Sequence, residues 1–349
     1  MKKRQANFEL LRVTAMLMII TLHYLDKGGI LPAPGDSFGA AGTVAWLLEA
    51  FCVSAVNVYV LLGAYFLVEQ DYDPMRAVRL WGQVLFYSIV IGAVCVFTGI
   101  VPMQELTLYK LLIYLMPVTQ EHYWFATAYI VMLLFAPLMN RTLRELSEKT
   151  FRRAIVLLLL LFSVTNSVLP VRLPIDRMGY DALWFLVLYL IGAFLRLHGD
   201  SLKITTRVSA AGYVAGSGLI FVSMLVINAI YQRTGSLFDF INRQYHYNSI
   251  LCLATSVFLL FLFRNIRIPE GRAADMIRKA ASVSFGVYLI HEHMALRYFW
   301  PKLLGTQKFS GTPLFLLHWA VTILVVYAVC GVIELLRQYL KRKVWNRHS

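Results

Sequence analysis

Long apolar runs broken by short polar connections recur along almost the whole chain, and they set the architecture before any single residue is considered. Windows of spanning length predict about ten helices, near 8–25, 44–68, 79–100, 124–139, 153–169, 182–198, 207–231, 248–264, 282–299 and 313–337. A shorter apolar piece at 108–117, closed by Pro117, is too short to cross and reads as interfacial or re-entrant. No loop is long enough for a separate soluble domain and no repeat relates the two halves. The expected fold is therefore all-α, a polytopic membrane protein with a single domain over 1–349.

The first run, Phe8 to Tyr24, holds the costliest residues: Glu9 and Arg12 near one end and His23 near the other. Eleven helical steps from Arg12 to His23 return to within roughly 20° of the same direction, about 16 Å further along. Glu9, Arg12, Met16, Ile19 and His23 thus share one face. Two readings fit this face. Either it lines a polar path between the membrane surfaces, or Glu9 and Arg12 form an interfacial pair with His23 in the opposite interface. No small-residue cleavage site follows the run, so it is expected to be a retained helix and not a removed signal peptide.

Composition agrees with a membrane protein: 349 residues, 59% hydrophobic, 15% charged and a mean hydropathy of +0.64. The net charge of +14 would suggest nucleic acid in a soluble protein, but its placement says otherwise. The N-terminus, the C-terminal tail and alternate loops carry 24 of the 33 Lys and Arg, and the opposite side carries nine. By the positive-inside rule both termini are expected in the cytoplasm, which requires an even number of spans and removes nucleic acid as a partner. Cys52, Cys95, Cys252 and Cys330 lie inside predicted spans at no paired or metal-like spacing, so neither a disulfide nor a metal is expected.

Four further stretches can carry chemistry. In DYDPMRAVRLW, Pro74 suits a helix start, and Arg76 and Arg79 share a face that can either grip phosphates or anchor the loop at the membrane surface. Asn57, deep in the second span, needs a partner as helix glue or cavity lining, whereas Glu49 is expected at the outer interface. Tyr123 and Trp124 fit an outer aromatic belt, with Glu121 and His122 just outside. In SVSFGVYLIHEH, Ser284, Tyr288 and His291 fall on one narrow face, with Ser282 and Glu292 nearby. His291 and His293, two apart, point in different directions, which argues against a metal.

Five segments together resemble the acyltransferase 3 family of bacterial integral-membrane O-acyltransferases, in its stand-alone form. They are Arg12 followed by ten residues and His23, the Arg76–Arg79 pair, VNVYVLLGAYFLV, YWFATAY and SFGVYLIHEH. Gly63-Ala64 departs from the Ser-Gly of the family pattern. The resemblance implies a multi-pass protein of the bacterial cytoplasmic membrane. It implies transfer of an acyl group, usually acetyl, from cytoplasmic acyl-coenzyme A to a hydroxyl of a cell-surface or exported glycan, with no metal. It also implies site roles: Arg76 and Arg79 for the donor phosphates, His23 with Arg12 for catalysis, and Glu9, Asn57, Trp124, Ser284, Tyr288 and His291 along the substrate path. A histidine side chain, with an ordinary pKa near 6.5, can take the proton of an attacking hydroxyl. The alternative is a transporter or flippase of a small polar substrate such as an amino acid.

Overall fold

The computed structural model describes residues 4–71, 73–120, 122–169 and 175–345, and among them every regular element is helical. Glu121 and the basic residues Lys2, Lys3, Arg172 and Arg347 lie outside the described residues. Nine helical stretches among the described residues are long and apolar enough to cross a membrane: Ala6–Asp26, Ala40–Leu67, Met75–Phe97, Trp124–Glu145, Glu148–Val168, Ala182–Leu202, Thr206–Thr234, Phe238–Asn265 and Phe315–Lys343.

In chain order the elements that matter here are α1 (Ala6–Asp26), α2 (Ala40–Cys52), α3 (Ala55–Leu67), α4 (Met75–Phe97), α5 (Leu108–Leu115), α6 (Trp124–Glu145), α7 (Glu148–Leu159), α8 (Thr165–Val168), α9 (Ala182–His198), α10 (Thr206–Thr234) and α11 (Ile250–Asn265). They are followed by α12 (Arg272–Ala281), α13 (Ser284–His291), α14 (Phe299–Leu303), α15 (Thr306–Phe309) and α16 (Phe315–Trp345). Side-chain oxygens start several of them. Ser147, Asp181, Thr205 and Ser249 each accept a hydrogen bond from the backbone N–H three residues on.

Helix α1 is the hub, in contact with α2, α3, α11, α12, α13 and α16. Two-thirds of its apolar window is buried, against 17% for α10, whose Val214, Leu219, Val222 and Val226 stay exposed. The outer helices α4, α7, α10 and α16 therefore present their apolar faces outward, as a lipid environment requires. Close backbone approach holds the inner ring. At Gly192 of α9 a Cβ would come within 2.6 Å of the Ala64 Cβ and 2.8 Å of the Leu61 carbonyl of α3. Where the second span breaks between α2 and α3, the Ser54 carbonyl accepts a bond of 3.2 Å from Ser256 Oγ of α11, which ties the break to that helix.

One expected span is different. The segment 282–299 is not a continuous helix: within it α13 runs only from Ser284 to His291, and irregular backbone follows until α14 begins at Phe299. The reason lies in the side chains that follow. The Met294 amide donates to His122 Nε2 at 3.0 Å and the Ala295 amide to His293 Nδ1 at 3.1 Å, so imidazole nitrogens replace the helical carbonyl partners. The piece at 108–117 is the eight-residue α5, about 12 Å long and too short to cross. It lies along α4, where Ser88 Oγ donates to the Tyr114 carbonyl at 2.9 Å.

Candidate functional site

The polar face of α1 opens onto two cavities. Phe8, Glu9 and Arg12 line a large one of about 1620 Å³, and Met16, Ile19 and His23 line a smaller one of about 430 Å³. All five positions of the predicted face thus border open space. Tyr59, Phe125 and Phe285, from α3, α6 and α13, line both cavities and form the wall between them. The Tyr59 and Phe125 rings meet edge to face at 6.3 Å, and Tyr59 Oη donates to the Arg12 carbonyl at 2.9 Å, which ties the wall to α1.

The large cavity is basic at one end. Arg4, Arg12, Arg76, Arg79, Arg196 and Arg337 border it, delivered by the four helices α1, α4, α9 and α16 and by the residues before α1. Arg12 is held by Glu9, with Nη1 at 3.0 Å from both carboxylate oxygens, and Glu9 itself is buried. Asp73 bridges the pair after the second span, with Oδ2 at 2.6 Å from Arg79 Nη2 and 3.5 Å from Arg76 Nε. The Arg79 guanidinium holds the exposed Asp73 carboxyl below its usual range. Away from these charges the wall is apolar, with Val90 and Val94 of α4 and Leu336 of α16. Gly63 borders this cavity too, facing the Tyr129 hydroxyl, and Ala64 faces Gly192, so the small pair serves close packing on two sides.

In the small cavity the hydrogen bonds fix which nitrogen of His23 donates. His291 Nδ1 lies 2.6 Å from the Val287 carbonyl, which can only accept, so Nδ1 carries the proton and the neutral ring offers Nε2 as a lone pair. That Nε2 sits 2.9 Å from His23 Nδ1, which must then be the donor. In its neutral form His23 then carries its lone pair on Nε2. Glu292 Oε2, 3.3 Å from His23 Nδ1, stands ready to balance a positive imidazolium, and Arg297 holds the other oxygen at 3.3 Å. A carboxylate, two imidazoles and a backbone carbonyl together make a proton-accepting relay that ends on a cavity-lining side chain.

The remaining expected site residues divide. Trp124 lines the small cavity, stacked on Tyr247 at 5.7 Å, and so belongs to the site wall and not to an outer belt. Tyr123 is fully buried, with Oη donating to the Leu289 carbonyl at 2.9 Å, and His122 is buried against Ser88 and the 294 amide. Tyr288 lines the small cavity, and its hydroxyl, near the Phe125 amide, closes no hydrogen bond. Asn57 borders neither cavity. Its amide donates to the Tyr247 carbonyl at 2.7 Å and its oxygen accepts from Trp184 Nε1 at 3.1 Å, which makes it helix glue. Ser284 is also outside both linings, bonded to Tyr327 Oη at 3.0 Å behind the wall.

Sequence reading missed the wall residues Tyr59 and Phe285 and the counter-ion Asp73. It also missed the place of Glu49, which faces the small cavity instead of the interface. The one usable local signal was the YHY run at 245–247, three polar aromatics in a connection; all three line the small cavity.

No curated protein and no solved structure matches the chain. A family model described as an acyltransferase domain matches residues 5–335. With that match over nearly its whole length, this many-helix membrane protein belongs to the acyltransferase 3 family.

Proposed function

We propose that the protein is a membrane-bound O-acyltransferase, which moves an acyl group, acetyl in the simplest case, from acyl-coenzyme A to a hydroxyl of a glycan or similar polyol. The observation that carries this reading is the shared wall. A cavity rich in guanidiniums and one containing a neutral imidazole meet at Tyr59, Phe125 and Phe285. Acyl-coenzyme A is an anionic thioester, and Arg76 and Arg79 with Arg12 suit its phosphates, which guanidinium groups grip with two parallel bonds. The 1620 Å³ volume leaves ample room for such a donor.

The reaction needs few parts. The acceptor hydroxyl attacks the thioester carbonyl and gives its proton to His23 Nε2, while Glu292 and His291 hold the other side of the ring. The Tyr288 hydroxyl, on a cavity-lining residue and without a hydrogen bond, would donate to the oxyanion that forms. Collapse breaks the carbon–sulfur bond, and the departing thiolate takes the proton from His23. Ester and free coenzyme A result, with the base restored.

The basic bias of alternate loops supports a cytoplasmic large cavity, where acyl-coenzyme A is made, in a bacterial cytoplasmic membrane. If the irregular segment 282–299 makes a tenth crossing, an even count would put both termini on that side. The test is calorimetric titration of acetyl-coenzyme A into the purified full chain and into an Arg76→Ala, Arg79→Ala double variant. Saturable binding is expected in the wild type, weakened about 100-fold in the variant if each lost charge-assisted contact costs roughly 1.5 kcal/mol. Absence of saturable heat with a cooperatively folded wild type would overturn the reading and favour transport of a small polar substrate.

A further inference from the structure

The small cavity holds one charge more than proton transfer requires. Three carboxylates border it, Asp26, Glu49 and Glu292, against two cations. Lys27 Nζ is 2.7 Å from Asp26 Oδ2, and Arg297 Nη1 is 3.3 Å from Glu292 Oε1. Each of those cations therefore already has its counter-ion. Glu49, on α2, is left without one, and its Oε2 is buried and takes no hydrogen bond.

What surrounds Glu49 is aromatic. It shares the lining of the small cavity with Trp46, Trp124, Tyr180, Tyr245 and Tyr247. Trp46 meets Tyr245 edge to face at 5.0 Å, while Trp124, Tyr180 and Tyr247 form a cluster with centroids 4.6 to 5.7 Å apart. A buried carboxyl group with no partner keeps its proton until a positive charge reaches it, and electron-rich ring faces attract the same charge. A neutral sugar would stack on these rings but would leave the carboxyl group without a counter-ion.

We propose that the acceptor carries a protonated amine, seated on Glu49 and the surrounding tyrosine and tryptophan rings, and presents a neighbouring hydroxyl to His23. The amine is an anchor and not the nucleophile, because its nitrogen lone pair is occupied by the proton. The acceptor class is thus a hydroxylated ammonium compound such as an amino sugar. The hydroxyl half of this inference rests on the acyl-transfer reading, whereas the ammonium seat is a binding property that stands without it.

The experiment titrates glucosamine and N-acetylglucosamine into the full-length protein at pH 6.5 with no acyl donor present, read by calorimetry and tryptophan emission. Glucosamine should bind at least about tenfold more tightly, and Glu49→Gln should erase that preference while leaving binding of the neutral sugar unchanged. Tyr180→Leu, at a half-exposed ring, provides a second variant and should lower the preference several-fold. Equal binding of the two sugars, no binding of glucosamine, or a preference that survives Glu49→Gln would each overturn the proposal. Because no donor is present, failure of acyl transfer would not register in this measurement.

Discussion

The two cavities share a wall but are built on opposite principles. The large one draws its cations from four helices and leaves an apolar flank between α4 and α16, where Tyr87 Oη reaches Glu334 at 2.5 Å. The small one is enclosed by aromatic rings, and its cations are held by its own carboxylates. A broad set of arginines suits a long, flexible anion that arrives and leaves. A rigid cage of rings suits a compact ligand whose hydroxyl must sit against one nitrogen atom. Capture and chemistry are thus assigned to different parts of one α1 face, about 16 Å apart.

The sharpest way to break this division is at His23. His23→Gln keeps a side chain of similar size but removes the basic nitrogen, and kcat should fall roughly 10³-fold, within the usual reach of general base catalysis. Acetyl-coenzyme A binding should be unchanged, as calorimetry would reveal. A matching loss of donor binding would show that the two cavities are not functionally separate.

A smaller effect is expected at the wall. Phe285→Ala joins the two cavities and admits water beside the thioester, so acyl-coenzyme A hydrolysis without acceptor should rise about threefold to tenfold. Release of free thiol, followed colorimetrically, measures it. An unchanged rate would mean that another group keeps water away.

How much of this was visible in the sequence depended on whether the information was local. The α1 face could be read because one helical period carries Glu9, Arg12, Met16, Ile19 and His23, and no other segment is needed to align them. The wall could not, because Tyr59, Phe125 and Phe285 come from three helices and each alone looks like ordinary apolar filling. The end of α13 at His291 was hidden for a related reason. Its helical pattern continues in the sequence, but the 294 amide finds His122, more than 170 residues earlier in the chain. Tyr123 and Trp124 sit where interfacial aromatics usually do, and only tertiary contacts show that one is core and the other cavity wall.

Asp73 has a kinetic and thermodynamic meaning that its modest position hides. It is a tethered anion already seated on Arg76 and Arg79, so any incoming phosphate must displace it. On the proposed donor role of the two arginines, the chain would contain its own competitive ligand, present at a fixed effective concentration and insensitive to how much donor the cell makes. Such self-competition weakens apparent affinity and speeds release, which guards a transferase against being clogged by spent coenzyme A. Asp73→Asn should accordingly tighten acetyl-coenzyme A binding by about twofold to fivefold, chiefly through slower dissociation in stopped-flow displacement. Weaker binding in that variant would instead make Asp73 a positioning group for the two arginines.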